Sequence, residues 1–409
     1  MKANTLIIAL IAITFSIQAQ SLEELVNMAI TQNKEIEILD KQYQVALQKA
    51  PQVSQLPDTE IGVGGFPLPV ETRLGPQFIR LSAAQMFPWF GTFASKEDLE
   101  NTKAMAIREK ATAKALHIEY EVKQNYYQLY ELQKRQSIIQ QNKTLLESLD
   151  RLAQAKVSTG KASASDVLRI QLQKEKLLQT LDQLKSKETI PTIKINELAE
   201  RSLDQTVNIN TDFEFAVLNF PEDSILANIS QFHPMIRMFA IQQDISKKHI
   251  EVNKLNGKPS FGVGMDYIMV GKRTDAQPAR NGRDILQVRA MVKFPIQQKK
   301  YKAKDAEERL KIEGWELEKE NLLHAFKARI AQGSARYETA RIEKANLEKQ
   351  IPLIKSTIKM LQGDYAAKGR NFDELLRLEM ELIEYEVNIL KTIMESHRAK
   401  TDMERFMIQ

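Results

Sequence analysis

Residues 92–159 contain neither glycine nor proline, and this run of 68 residues limits the possible folds more than any other feature of the sequence. The run is rich in Ala, Glu, Lys, Gln and Leu, and Val122, Tyr126 and Leu129 keep an apolar stripe along it. A continuous helix of this length would reach about 100 Å. Such a helix needs lateral partners, so the sequence predicts a coiled-coil-like bundle.

The run ends at a turn with the sequence VSTGKASASDVLR. Gly160 suits the turn itself, and either Ser163 or Ser165 can cap the helix that returns from it. The returning helix is predicted to run to about Lys187, ahead of Pro191. A tight turn between two antiparallel helices makes a helical hairpin.

A second hairpin is predicted in the C-terminal part of the chain. Its first helix spans about residues 297–362, and we expect Gly314, Gly333 and Pro352 to interrupt it. The turn has the sequence YAAKGRNFDELL, and the last helix ends near Met407.

Short strands precede each hairpin. In the first half they are IGVGG at 61–65 and FIRLSAAQMF at 78–87, with the proline-containing loop PLPVETRLGP between them. In the second half they are FGVGM at 261–265 and ILQVRAMVKFP at 285–295. A single helix is predicted before each pair, over residues 21–49 and about 221–256, the first with a Ser21 and Glu24 capping box.

These elements repeat along the chain at nearly constant offsets. The strand glycines are offset by about 200 residues, and the Phe87-Pro88 and Phe294-Pro295 pairs by about 207. The sequence therefore predicts an internal two-fold repeat, with a signal peptide at 1–19, a first repeat at 20–205 and a second at 206–409.

The strands alternate between apolar and polar residues. One face carries Ile79, Leu81, Ala83, Phe87, Leu286, Val288, Ala290, Val292 and Phe294, with Gln85 as an exception. The other face carries Arg80, Ser82, Gln287, Arg289 and Lys293, which would line the lumen of a barrel, and Gly62, Gly64, Gly262 and Gly264 follow the same alternation. This pattern is typical of a transmembrane β-barrel strand and equally of a half-buried strand in a soluble sheet. Four strands cannot close a barrel around a pore, whereas three copies would supply twelve.

Composition narrows the functional class. The chain has no cysteine, which excludes disulfides, thiolate metal sites and a lipid-anchored N-terminus. The net charge of +5 comes from mixed Lys and Glu, so we expect no nucleic-acid partner. Beyond the signal peptide no apolar stretch is long enough for a transmembrane helix.

No chemistry-bearing motif stands out. None of the five histidines forms a two-His helical metal pair, and there is neither a phosphate-binding glycine loop nor a nucleophile elbow. The sequence predicts no catalytic residue, no cofactor and no metal site, and hence no enzyme.

The repeated helix, strand, strand, helix, turn, helix order, the run QMFPWFG at 85–91 and the two turns together resemble the TolC family of outer-membrane efflux ducts. The resemblance implies a mainly α fold with a small β part. Three protomers would share a twelve-stranded outer-membrane barrel, which continues into a long antiparallel α-helical periplasmic tunnel. QMFPWFG is similar to the branch that serves heavy-metal cation pumps of the RND type.

The tip motif of that family is matched by Gly160, Asp166, Val167 and Leu168, and less closely by Tyr365 and Gly369. The resemblance implies that the turns at Gly160, Asp166 and Gly369 dock a periplasmic adaptor. It also implies that acidic residues after the second turn, here Asp373 and Glu374, form a ring at the closed entrance.

These features lead to one expectation and one alternative. We expect a homotrimeric exit duct in outer-membrane lipid that works with a periplasmic adaptor and an inner-membrane RND-type pump. The alternative is a periplasmic adaptor or helical scaffold that does not span the membrane. The sequence leaves the transported substrate open, metal cation or other small molecule.

Overall fold

The computed structural model describes residues 21–209, 211–219 and 221–407, so the predicted signal peptide lies outside the described residues. The fold is mainly α-helical with one small sheet, as predicted. The helices are α1 (Leu22–Gln32), α2 (Lys34–Leu47), α3 (Lys49–Val53), α4 (Thr92–Ser158), α5 (Ala164–Leu198), α6 (Glu222–Phe232), α7 (Pro234–Asn256), α8 (Lys299–Lys368) and α9 (Phe372–Glu404). The strands are β1 (Glu60–Thr72), β2 (Gly75–Phe87), β3 (Ser260–Val270) and β4 (Ile285–Lys293).

The chain divides into two compact units, and each unit takes segments from both halves of the sequence. The helical unit comprises the described residues of the ranges up to Lys34, Ala115–Ile225 and Lys327–Met407, and it contains both hairpin turns. The sheet unit comprises Glu35–Lys114 and Leu226–Phe326, and it contains all four strands.

The prediction of a single helix before each strand pair is wrong, because in the structure each of these helices is interrupted by a buried polar residue. Asn33 separates α1 from α2, and His233 separates α6 from α7, at the same offset as the strand glycines. Both residues are extended, with φ and ψ of −63° and 126° at Asn33 and −62° and 129° at His233. The side-chain amide of Asn33 donates to the Leu198 carbonyl (3.2 Å), and His233 Nδ1 accepts from the backbone amide of Met235 (3.2 Å). The local bond at His233 competes with helix hydrogen bonds and favours a break, whereas the bond at Asn33 holds the break against a distant part of the chain. The predicted capping box at Ser21 and Glu24 is present.

The hairpin helices are longer than the sequence predicts. α5 passes through buried Pro191 and ends at Leu198, and the Thr192 hydroxyl donates to the Glu188 carbonyl (2.9 Å) one turn away. α8 is continuous despite its internal glycines and proline, so the predicted interruptions are wrong. A Cβ at Gly333 would lie 2.6 Å from Met403 Cγ, so this glycine allows α8 to pack closely on α9.

The prediction of a loop at PLPVETRLGP is also wrong. Nearly all of it belongs to β1 and β2, which leaves only Arg73 and Leu74 as the turn. Pro67 and Pro69 fall where the β1–β2 register shifts between Gly65 and Val70, and Pro76 lies in β2 opposite Glu71. Proline is tolerated at the register shift because a bulge in an edge strand does not require its missing amide hydrogen.

Candidate functional site

One face of the sheet, here called the apolar face, is covered with exposed hydrophobic side chains. Its most exposed members are Ile61 (80%), Val63 (75%), Leu286 (63%) and Val288 (78%). Along β3 it includes Phe261, Val263, Met265, Tyr267 and Met269, all exposed, while the intervening residues from Gly262 to Val270 are buried. A contiguous exposed apolar surface of this kind marks an interaction with a membrane or another apolar surface.

The opposite side, here called the polar face, brings together the five residues that the sequence predicts to face the interior. In the strand register, Gly62 lies opposite Ser82, Ser82 opposite Asp266 and Asp266 opposite Gln287, so these residues form one row across the sheet. Arg80, Arg289 and Lys293 occupy other positions on the same face.

A buried carboxylate on the polar face was missed by sequence reasoning. Asp266 is fully buried and lies between two arginines on neighbouring strands. Arg80 Nη2 approaches one carboxylate oxygen at 2.8 Å, and Arg289 Nε approaches the same oxygen at 2.6 Å. The alternation Gly262, Gly264, Asp266 would have placed this acid on the polar face. Its arginine partners could not be identified without the strand register.

The glycines of the polar face accommodate side chains from adjacent strands. A Cβ at Gly262 would lie 2.4 Å from Met86 Sδ and 3.2 Å from Met291 Cε, its two register neighbours. A Cβ at Gly62 would lie 2.7 Å from Ser82 Oγ. The space left by the missing side chains at Gly62 and Gly262 is therefore filled within the sheet, whereas Gly64 borders open space.

The run QMFPWFG forms the junction between β2 and α4. Gln85, the polar exception on the apolar face, accepts from the Thr59 hydroxyl (2.6 Å) and donates to the Pro57 carbonyl (2.8 Å). Trp89 packs on Phe261 with ring centroids 5.8 Å apart, and Phe90 is 81% exposed. Aromatic side chains at the end of an apolar face are typical of a membrane–water boundary.

The glycines of the two hairpin turns have nearly the same φ angle but different surroundings. Gly160 and Gly369 have φ of +67° and +68°, a region that favours glycine. A Cβ at Gly160 would meet nothing within 4 Å, whereas a Cβ at Gly369 would lie 2.0 Å from the Lys161 carbonyl oxygen. Ser163, one of two predicted candidates, caps α5 by accepting from the Ser165 amide (3.2 Å).

The first and second hairpins are linked at their turns by side chains. Asp166 of α5 is buried and accepts a long hydrogen bond from the hydroxyl of Tyr365 on α8 (3.4 Å). Tyr365 is fully buried beside the Phe372 ring, and desolvation, reinforced by Asp166, raises its pKa to about 12. Tyr365 therefore stays a hydrogen-bond donor across the physiological pH range.

The predicted acidic residues occupy the first turn of α9. Asp373 is exposed and forms an ion pair with Arg169 of α5, which adds a second link between the hairpins. Glu374 is exposed. The Lys156 ammonium donates to the Ala366 carbonyl and adds a third link. Together, the residues Lys156, Asp166, Arg169, Tyr365, Gly369 and Asp373 are called the tip cluster below.

Over residues 21–407, apart from 210 and 220, no helix has both the length and the apolar character needed to cross a membrane. Within the same ranges, no three acidic or histidine side chains are grouped so that they could hold a metal ion.

With its four-stranded sheet, which has one exposed apolar face, and its two long helical hairpins, the chain has the fold of a group of solved outer-membrane channels. No family model and no curated protein matches it. Among solved structures it is similar to CusC, with a TM-score of 0.76 and 12% identity over 96% of this chain and 95% of CusC.

Two further channels give comparable values. The CmeC outer membrane channel of Campylobacter jejuni matches with a TM-score of 0.72 and 13% identity over 97% of this chain and 90% of CmeC. The MtrE outer membrane channel of Neisseria gonorrhoeae, in its open state, matches with a TM-score of 0.73 and 14% identity over 94% of this chain and 88% of MtrE. At these identities the similarity establishes the fold, which is the one predicted, and the structures matched are channels rather than enzymes.

Proposed function

We propose that the protein is an outer-membrane efflux duct, in which three copies close a twelve-stranded barrel and continue it as a helical tunnel into the periplasm. The observation that carries this proposal is the four-stranded sheet, with its exposed apolar face opposite a charged polar face. Such a sheet is unstable in water but suited to lipid on one side and an aqueous lumen on the other.

The edges of the sheet support a barrel built from several copies. The strand order is β1-β2-β3-β4, so within one chain β1 and β4 each have one unpaired edge. Unpaired edges cannot face hydrocarbon, because no water is present there to satisfy the backbone groups. β1 and β4 run antiparallel to each other, so β4 of one copy can pair with β1 of the next. Twelve is an even number within the range of bacterial barrels.

The tip cluster provides a gate in this proposal. Its three side-chain links hold the two hairpins of a protomer together, and breaking them would allow the entrance to widen. Gly160, Asp166 and Gly369 lie at the turns where a periplasmic adaptor would dock. Asp373 and Glu374, repeated by threefold symmetry, would form an acidic ring at the entrance, with Asp373 held by Arg169 in the closed state.

The cargo would be delivered by an adaptor and an inner-membrane pump of the RND type, and metal cations are the cargo suggested by QMFPWFG. A deletion strain tests this part separately. We expect reduced tolerance to copper, silver, zinc or cobalt, and unchanged tolerance to all four would remove the metal assignment while leaving the duct proposal intact.

The duct proposal is tested by disulfide cross-linking, for which the absence of native cysteine is an advantage. A cysteine at Val63 in β1 is combined in turn with one at Leu286, Val288, Ala290 or Val292 in β4. We expect one or two of these pairs to give covalent dimers and trimers in outer-membrane fractions after oxidation. The Val63 cysteine alone is the control and should give no trimers.

The opposite result is equally informative. A mature protein found as a soluble periplasmic monomer, with no cross-linked trimer for any pair, would reject the duct. It would favour the adaptor or scaffold alternative.

A further inference from the structure

The junction between the sheet and the helices of the second half contains a basic groove. α7 ends at Asn256 and is followed by β3, and β4 ends at Lys293 shortly before α8 begins at Lys299. Between these two connections lies an open groove of about 490 Å³. Its lining includes Lys254, Lys258, Gln298, Tyr301 and Lys302.

The groove is well formed on both walls. The Asn253 side chain of α7 donates to the Tyr301 carbonyl of α8 (2.7 Å), which ties the two walls together. A Cβ at Gly257 would lie 3.6 Å from Tyr301 Cδ1, so the tyrosine ring packs against the backbone at the end of α7. Lys300 lies over the same ring, with Nζ 4.8 Å from its centroid.

The junction is strongly basic. Residues 293–304, KFPIQQKKYKAK, contain five lysines and no acidic residue. Lys254, Lys258 and Lys302 are exposed, and the ion pairs found for the described residues include none made by these three. The one acidic lining residue, Asp305, accepts from Arg309 Nε (2.9 Å) and is therefore already compensated.

The corresponding junction of the first half lacks this charge. Residues 88–98, PWFGTFASKED, contain one lysine and two acidic residues. The basic groove is therefore specific to the second half and does not follow from the repeated architecture.

The groove begins where the apolar face ends. Phe294 (65% exposed) continues the outward alternation of β4, and Ile296 (86% exposed) stands two residues before Gln298 in the groove lining. An apolar surface bordered by lysines and a tyrosine matches the chemistry of a phospholipid, with acyl chains on one side and a phosphate on the other.

We propose that this groove binds the headgroup phosphate of an anionic phospholipid, with Lys254, Lys258 and Lys302 as its cationic ligands and the acyl chains lying on the apolar face. The inference rests on the proposed membrane insertion of the sheet. The lipid would belong to the leaflet that adjoins the helical end of the sheet.

The test uses the full-length mature protein purified from membranes and reconstituted in nanodiscs of phosphatidylethanolamine with or without phosphatidylglycerol. Native mass spectrometry then counts the lipids that are retained. We expect wild type to prefer phosphatidylglycerol by about tenfold, and K254Q/K258Q/K302Q to lose most of that preference. The control K327Q/K349Q/K359Q removes the same charge from exposed lysines of α8 in the helical unit and should behave as wild type.

Three results would overturn the inference. The first is equal retention of phosphatidylglycerol by wild type and the groove variant. The second is complete displacement of the lipid by an equal concentration of soluble glycerophosphoglycerol, which would indicate a simple anion site. The third is insertion without any preference for the anionic lipid. Failure of wild type to enter any bilayer would instead reject the proposed function, and the inference with it.

Discussion

Asp266 of the sheet unit and Asp166 of the helical unit are both buried, and they are held in very different ways. Asp266 in the sheet unit is fully buried between two arginines, with ion-pair distances of 2.8 and 2.6 Å. Asp166 in the helical unit is also buried, but it has a single long hydrogen bond of 3.4 Å from the Tyr365 hydroxyl. The first arrangement locks three strands in register, whereas the second is easily broken. The difference agrees with the proposed duct, in which the sheet is permanent and the turns move apart to open the entrance.

The largest effect is expected from removing Asp266, which joins three strands of the sheet. Asp266→Ala leaves two arginines facing each other on the sheet without their shared counter-ion, which we expect to cost about 3–5 kcal/mol. The measurement is the temperature at which the proposed trimer dissociates in detergent. Asp275→Ala removes a loop aspartate that pairs with Arg273 in an exposed position, and it should shift that temperature only slightly. Equal behaviour of the two variants would contradict the structural role of Asp266.

The next largest effect is expected at Gly369, and Gly160 in the other turn serves as its comparison. Gly369→Ala places a Cβ against the Lys161 carbonyl and strains a left-handed residue, so we expect a loss of about 2–4 kcal/mol and a partly open tip. Gly160→Ala meets only the backbone strain, about 1–2 kcal/mol. Single-channel conductance and chemical denaturation measure both variants. A larger effect at Gly160 would show that the surroundings of Gly369 do not matter.

A smaller effect is expected from removing the hydrogen bond between Tyr365 and Asp166. Tyr365→Phe removes the donor to Asp166 but keeps the ring beside Phe372, which we expect to cost about 1 kcal/mol and to raise conductance. Because the folded pKa of Tyr365 is about 12, above the ordinary value of 10.0, this contribution to stability is full below pH 10 and lost as the pH rises towards 12. The Phe variant should show a smaller alkaline loss, because Tyr127, whose pKa burial also raises to about 12, is still present. Identical alkaline titrations of wild type and variant would count against the contact.

The smallest effect concerns a second buried acid near the tip. Desolvation raises the pKa of Glu379, although the Gln362 side chain donates to it at 2.8 Å. Its folded form binds a proton more readily than its unfolded form, so stability is greatest below the ordinary pKa and falls as the pH rises through the raised value. Glu379→Gln should flatten this dependence and stabilise the helical unit at neutral pH.

Thermal unfolding between pH 4 and 8, followed by circular dichroism, measures this slope, with Glu374→Gln at an exposed position as the control. A stability profile of Glu379→Gln as steep as that of wild type would show that another group titrates.

Several parts of the fold could be predicted from the sequence, because they depend on neighbouring residues. The helix over α4 was predicted from the absence of glycine and proline, and its turn from Gly160. The two faces of β4 were predicted from simple alternation. The extent of β1 was not predicted, since Pro67 and Pro69 suggest a loop unless the bulge at an edge strand is known. The unbroken α8 was likewise missed, because packing against α9 overrides the local preference of Gly333.

The sequence by itself determined the two long hairpins, the glycine turns and the amphipathic strands, because helix length, turn conformation and side-chain alternation follow from local backbone preferences. The tertiary structure alone decided the pairs that give these elements their roles. Asp266 meets Arg80 across 186 positions, Tyr365 meets Asp166 across 199, and Asn33 reaches Leu198 across 165. Such pairs depend on strand register and on the docking of one hairpin against another, and no local pattern in the chain encodes either.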